Sequence, residues 1–298
     1  MKPELIIIRY SEIALKGKET RKQFEKTLIK NIKHAFKKED IENEIKKEWG
    51  RIYLYTNKIN EAIEILTKIF GITSISPAIR TTDKIIDISK KAQELTKILN
   101  KKTSFALRVT RTGEHSYSSQ DIAIEIGKDI QDKTNASVNL SKPDFELFIE
   151  IRNENTYLYL EKLSAPGGMP LGTQGKVLSI INNPEAILSS WYIARRGCMP
   201  VFLLEDKNQL KNLKKFCEIW HIKTKIIEKQ EIKDFNDTIS KIGISAIVTS
   251  HTLNDNEEDT IKQIQNLKQE INQPLLQPLI IFDKKTITKK AKEIEITL

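Results

Sequence analysis

Eleven residues, Ala165-Pro-Gly-Gly-Met-Pro-Leu-Gly-Thr-Gln-Gly175, hold four of the chain's eleven glycines and two of its nine prolines. Neither residue type continues a helix or a central strand cheaply. The segment therefore interrupts regular structure, and the hydrophobic patterns on its two sides differ. Before it, an apolar run from Pro3 to Tyr10 reads as a strand. Phe24, Leu28, Ile32 and Phe36 recur every fourth residue and predict a helix over 19–38. The alternation over 44–56, broken at Gly50-Arg51, predicts a hairpin, and a helix over 60–70 ends at Gly71. This order suits a small ferredoxin-like α+β sandwich over residues 1–57. Strands over 74–81, 105–110, 145–151 and 157–163 follow, with helices over 87–99 and 118–132 between them. After the interruption the pattern becomes repeated β-α units: strands over 177–181, 200–204, 223–228 and 245–249, separated by helices. That repeat predicts an α/β domain with a parallel sheet over 176–298.

Charge and cysteine content narrow the function classes. Residues 1–38 carry eleven lysines and arginines against four glutamates, which is most of the chain's net charge of +9. A basic cluster on one helix is the electrostatic footprint of a polyanion partner. A lysine-rich solvated helix explains the same composition. No apolar run reaches the ~18–20 residues that span a bilayer, so a cytoplasmic protein with no membrane partner is expected. Two cysteines, Cys198 and Cys217, exclude a disulfide framework and a four-cysteine zinc site. Cys217 shares a helix face with Leu213, Phe216 and Trp220, which suits a core thiol. The four histidines show no metal spacing.

Two segments bear on anion binding. Arg108, Arg111, His115, Ser118 and Ser119 cluster around the expected start of a helix, a reasonable phosphate-contact surface. The first β-α turn of the C-terminal domain, where an α/β fold places a nucleotide, reads Ile181-Asn182-Asn183-Pro184-Glu185. It has no glycine for close phosphate approach. Pro184 removes a donor, and Glu185 repels anions.

Several motifs then fall in one order. Ile8-Arg-Tyr-Ser-Glu-Ile-Ala-Leu-Lys-Gly-Lys18 and Arg21-Lys-Gln-Phe24 resemble the N-terminus of the tRNA 4-thiouridine synthases (tRNA sulfurtransferases). Phe105-Ala-Leu-Arg-Val-Thr-Arg111 and His115-Ser-Tyr-Ser-Ser119 are similar to their THUMP domain. Pro166-Gly-Gly-Met-Pro-Leu-Gly-Thr-Gln174 is similar to the loop before their PP-loop ATPase-like domain. Val248-Thr-Ser, Asp259 to Leu267, Pro274 to Ile280 and Asp283-Lys284 are similar to later segments of that domain. The resemblance implies a ferredoxin-like domain (1–57), a THUMP domain (58–164), a linker (165–175) and a shortened PP-loop-like domain (176–298). It also implies tRNA as partner, ATP and Mg²⁺ as cofactors if the activity is retained, and a persulfide sulfur donor. On that basis Lys16, Lys18, Arg21, Lys22, Arg108, Arg111, His115, Ser118 and Ser119 are the candidate RNA contacts. Asn182, Asn183 and Glu185 stand where a nucleotide would bind.

The departures from the family pattern fall on the C-terminal half. The family's Ser-Gly-Gly-x-Asp-Ser loop is replaced by Asn182-Asn-Pro-Glu-Ala. Asp234-Phe-Asn-Asp-Thr-Ile-Ser-Lys stands where a basic Lys-Arg-x-Met helix is expected. The family's catalytic cysteine belongs to a segment beyond Leu298, so no catalytic residue is assigned. The sequence therefore reads as a tRNA-binding member of the family with a decayed adenylation site. An active ATP-dependent enzyme making 4-thiouridine at position 8 of tRNA is the alternative. An RNA-binding assembly partner of another modification enzyme is a third reading, and homodimerisation stays open.

Overall fold

The computed structural model describes residues 2–231, 235–253 and 257–297, so Asp234 of the shortened stretch lies outside the described residues. The chain divides into two units. One comprises Met1–Arg9, Phe36–Thr67 and Ser74–Ser164; the other comprises Tyr10–Ala35, Lys68–Thr73 and Ala165–Leu298.

The strands of the first unit are β1 (Leu5–Arg9), β2 (Glu44–Glu48), β3 (Arg51–Tyr55), β4 (Ser74–Thr82), β5 (Ser104–Thr112), β6 (Ser137–Val138), β7 (Phe145–Arg152), β8 (Asn155–Tyr159) and β9 (Leu163–Ser164). Among the described residues they form a nine-stranded sheet ordered β2-β3-β1-β4-β8-β7-β5-β6, with β9 paired to β4. Helices α1 (Lys18–Lys38), α2 (Ile59–Leu66), α3 (Ile85–Leu95) and α4 (Ser119–Thr134) interleave with them. The last residues of α1 belong to this unit and the rest of it to the other. Helix α2 stops short of the expected Phe70. The Thr67 hydroxyl bonds back to the Ile63 and Glu64 carbonyls, competing with the backbone, and the chain turns there. Helix α4 starts where the sequence places it, at a Ser118–Asp121 capping box, and ends on Asn135 in the left-handed conformation.

One face of this sheet packs on α3 and α4 through Ile79, Ile88, Ile122, Ile126, Leu147 and Ile149, all nearly fully buried. At about 1.5–3 kcal/mol per buried side chain, these contacts hold the helices to the sheet. The other face curls on itself. Tyr53 of β3 stacks on Tyr157 of β8 with ring centroids 4.6 Å apart, although β1 and β4 lie between those strands in the sheet. The curl brings Arg51 Nε of β3 to 2.7 Å from Glu150 Oε1 of β7, and Arg9 Nη2 of β1 to 3.1 Å from Glu150 Oε2. Arg152 Nη1 donates to Glu150 Oε1 at 3.4 Å. Burial pushes the Glu150 carboxyl up, but Arg51 and Arg9 outweigh it and hold it below the usual carboxylate range.

The second unit carries β10 (Lys176–Ile181), β11 (Met199–Leu204), β12 (Ile226–Glu228), β13 (Ile244–Val248) and β14 (Leu275–Leu276), all parallel and ordered β12-β11-β10-β13-β14. Its helices are α5 (Glu185–Arg195), α6 (Leu210–Ile219), α7 (Phe235–Ile242), α8 (Glu257–Glu270) and α9 (Lys284–Glu293). Ile181, Ile187, Trp191, Leu213, Phe216 and Ile287 build the core toward α5, α6 and α9. Leu178, Ile180, Leu203, Ile239 and Ile247 build the opposite layer toward α7. A parallel sheet buried on both faces is what repeated β-α units require.

Residues 165–175 are packed into this unit. Met169 N–H donates to Arg195 O at 3.0 Å, and Gly172 and Gln174 N–H groups both reach Gly197 O. Gly168 sits at φ +73°, and a Cβ there would lie 2.0 Å from Arg195 O. The glycine serves a close backbone approach.

Candidate RNA surface and sheet crevice

Lys16, Lys18, Arg21 and Lys22 belong to the second unit. Lys16 closes a 3-10 turn over Glu12–Leu15, and Lys18, Arg21 and Lys22 lie in the first turn and a half of α1. Lys16, Lys18 and Lys22 are exposed and Arg21 is half-buried. A helix N-terminus carries about half a positive charge, so cations there oppose the dipole. Residues 16–22 place four cations at that end against the single carboxylate of Glu19. The arrangement costs the helix and suits an external anion.

Arg108, Arg111, His115, Ser118 and Ser119 belong to the first unit. The structure commits several of them internally. Arg108 Nε donates to Glu146 Oε1 at 2.7 Å and its Nη2 to Leu140 O at 2.9 Å. The His115 side chain is only 2% exposed, so it is no surface contact. Its Nε2 lies 2.8 Å from Asn153 O and its Nδ1 3.1 Å from Arg111 Nη1. An Nε2–H tautomer satisfies both partners and makes His115 a strut for the Asn153 turn. Ser118 N–H donates to Asp121 Oδ2 at 2.7 Å, and Asp121 N–H donates to Ser118 Oγ at 3.1 Å. That bond from the Ser118 backbone lowers the Asp121 pKa. The capping box fills the start of α4 with its own carboxylate. Arg111, whose Nη1 also donates to Gly113 O at 3.0 Å, and Ser119 remain at the edge of this cluster.

The sheet of the second unit has its switch point between β10 and β13, where open α/β sheets bind ligands beyond the strand ends. In this chain the crevice is bridged. Asn183 Oδ1 accepts from Ala186 N–H at 2.9 Å and from Ser250 Oγ at 2.9 Å. Asn183 follows β10 and Ser250 follows β13, so one amide oxygen links the two loops that flank the crevice. Ile187 N–H is taken by Pro184 O at 3.1 Å, and Pro184 itself has no N–H. The neighbouring strands run into Glu205 and Glu228, which pair with Lys229 and Lys207. Asn182 is exposed and Glu185 half-buried at the start of α5. A triphosphate needs convergent N–H donors and close backbone approach; the residues present do not fit one. Sequence reading finds the missing glycines and marks Val248-Thr-Ser250 as a family-like segment, but it does not pair Ser250 with Asn183, 67 residues earlier.

A cavity of about 390 Å³ lies beside the crevice, lined by Ile180, Leu203, Phe235, Leu267 and Ile271 with Glu205, Lys229 and Glu270 at its polar side. Burial pushes the Cys198 thiol up despite Arg196 nearby, and Cys217 packs partly buried against the core of α5, α6 and α9.

Comparison with known proteins agrees with this architecture. Residues 5–76 match the family model of the ThiI ferredoxin-like domain, 83–161 the THUMP domain, and 222–297 the model described as thiamine biosynthesis protein (ThiI). The probable tRNA sulfurtransferase of Methanobrevibacter smithii is 30% identical over 336 aligned positions, covering 99% of this chain and 87% of its own. That of Methanothermobacter thermautotrophicus is 29% identical, covering 98% and 84%. The crystal structure of PH1313 from Pyrococcus horikoshii superposes with a TM-score of 0.86 at 26% identity, covering 98% of this chain and 100% of that one. A 4-thiouridine synthetase–RNA complex with bound ATP shares the fold, with a TM-score of 0.81 at 23% identity over 98% of this chain and 85% of that one. With a ferredoxin-like domain, a THUMP domain and a parallel-sheet domain in that order, and a relative 30% identical along nearly its whole length, the chain belongs to the tRNA sulfurtransferase family.

Proposed function

We propose that this chain binds tRNA through its N-terminal elements and that its parallel-sheet domain no longer adenylates the tRNA. The observation that carries the second half is the Ser250–Asn183–Ala186 bridge across the switch-point crevice. Phosphate oxygens and the Asn183 amide oxygen would compete for one N–H, and Glu185 beside it disfavours the anion. The alignment with the Methanobrevibacter smithii relative exceeds this chain's 298 residues by 38 positions, so at least that many fall in gaps of this chain. The RNA half is supported by the cation cluster at the start of α1. Lys16, Lys18, Arg21 and Lys22 contact the phosphate backbone. Arg111 and Ser119 contact it from the THUMP side, with Arg108, His115 and Ser118 holding the loops in place.

The relatives are named as sulfurtransferases, which favours the competing reading of an active, ATP-dependent enzyme using a persulfide donor. One assay separates the two. Unmodified tRNA is incubated with the protein, Mg²⁺ and α-labelled ATP without a sulfur donor, and adenylated tRNA is counted. The expected outcome is no label above the no-protein control, with the same protein shifting tRNA on a gel. Label on the tRNA overturns the proposal in favour of the enzyme.

A further inference from the structure

We propose that the second unit carries a binding pocket for a small organic carboxylate, which enters by displacing the side chain of Glu12 from Arg196. The site does not depend on the tRNA-binding or adenylation readings.

A cavity of about 380 Å³ opens beside the C-terminal end of α5, and all its lining residues belong to the second unit. Its floor is apolar. Ile193 and Leu276 line it and pack against Val177, Ala246 and Val248 of the parallel sheet. Tyr192 forms a wall, its ring held edge-on against Trp191 at 5.2 Å and against Phe282 at 5.6 Å. Strands and core rings fix these surfaces, so the cavity belongs to the body of the domain. An apolar hollow on a rigid frame, with a few polar groups at its edge, suits the body of a small ligand.

The edge of the cavity is cationic. Arg195 and Arg196 line it against the single carboxylate of Glu12. Arg195 is already positioned. Its Nε donates to Pro166 O at 2.7 Å, and its guanidinium lies 5.7 Å from the centre of the Trp191 ring. Arg196 is paired loosely. Its Nη1 is 3.6 Å from Glu12 Oε2, beyond hydrogen-bond length, and the two side chains are 67% and 37% exposed. Such a pair contributes little to stability, so it is easily exchanged. Glu12 shows that a carboxylate is accepted at this edge. A free carboxylate with an apolar body makes the same ion pair and in addition covers Ile193, Leu276 and Pro278. One further group favours it. Gln277 Nε2, in the same lining, is buried with no hydrogen-bond partner among the described residues. Turning that amide toward the cavity gives its nitrogen an acceptor. Two guanidiniums against one carboxylate leave a single positive charge, which matches a monoanion better than a multiply charged phosphate.

The probes are phenylacetate and its neutral counterpart phenylacetamide, titrated into the full chain at neutral pH and followed by ligand-observed NMR. Phenylacetate is expected to bind with a Kd of about 1 mM, and phenylacetamide about tenfold more weakly. Arg196→Gln should weaken phenylacetate about tenfold and leave phenylacetamide unchanged. Glu12→Gln removes the competing carboxylate and should strengthen phenylacetate several-fold. Both side chains reach solvent, and thermal unfolding of the two variants without ligand should match the parent. Equal binding of the two probes makes the cavity a plain apolar crevice and overturns the inference. Phenylacetate binding that survives Arg196→Gln lies elsewhere on a chain of net charge +9 and overturns it too. Weaker binding in Glu12→Gln makes Glu12 a part of the frame and overturns the displacement. Binding of neither probe at about 10 mM overturns the pocket itself.

Discussion

Arginines and lysines gather in two places in this chain and are treated in opposite ways. On the concave face of the first unit's sheet, Arg9, Arg51 and Arg152 share the buried carboxylate of Glu150. Their donors also reach Ser76 Oγ and two turn carbonyls. At the start of α1, Lys16, Lys18 and Lys22 face solvent, with the half-buried Arg21 among them, at a helix end that already carries partial positive charge. The first cluster is partly neutralised from within, by Glu150 and by Glu48 beside Arg152, and holds strands distant in sequence together. The second has Glu19 among its four cations and Glu25 one turn on, and its lysines oppose the dipole of the helix that carries them. A protein tolerates such a cost where an outside anion removes it. Cation content alone would rank the two clusters together; the position of a single glutamate separates them.

That contrast can be broken most severely at Glu150. Glu150→Ala leaves the buried Arg9 and Arg152 and the half-buried Arg51 without their shared anion and should cost about 3–5 kcal/mol in urea unfolding, with the salt dependence of tRNA binding unchanged in whatever fraction stays folded. Glu150 also predicts an acid transition. Its folded pKa is depressed, so its contribution is complete above the unfolded value of about 4.3 and is lost as pH falls through the lower folded value. Glu150→Gln should therefore flatten the fall of stability below pH ~4.

The α1 cluster should respond chiefly in binding. Arg21→Ala with Lys22→Ala should reduce the salt slope of tRNA binding by about two counterions, read from gel shifts at several salt concentrations. An unaltered slope would remove these residues from the interface. Asn183→Ala tests the crevice. It should lower unfolding free energy by about 1 kcal/mol as a lost helix cap and leave tRNA affinity untouched. The smallest effect has the most telling sign. Lys18→Glu, at the exposed first residue of α1, should stabilise the fold by about 0.3–1 kcal/mol through the helix dipole while weakening tRNA binding. A variant that lost both would make Lys18 an ordinary structural residue.

Much of the scaffold was legible before the structure. The four-residue spacing from Phe24 to Phe36 located α1, Ser118 and Asp121 located the start of α4, and the β-α repeat after Gly175 announced the parallel sheet. Local chemistry decides these features, and a sequence displays local chemistry. The two-residue strands β6, β9 and β14 were not legible, because their pairing is fixed by neighbours and not by their own composition. Among site residues, the absence of glycine from the β10–α5 turn is plain in the sequence. The inward turn of His115 could not, since it depends on Asn153, 38 residues away. The Glu150 cluster joins residues 99 and 141 positions apart and leaves no periodic trace.

The path of the chain through its two units carries a consequence for inheritance. Residues 68–73 leave the N-terminal region to join the second unit, where Phe70 stacks on Trp220 at 5.2 Å and meets Trp191 edge-on at 5.9 Å. A stop codon just after residue 175 would remove both indoles and strand that phenylalanine in water. Selection for the N-terminal half alone would therefore also preserve the reading frame of the half behind it.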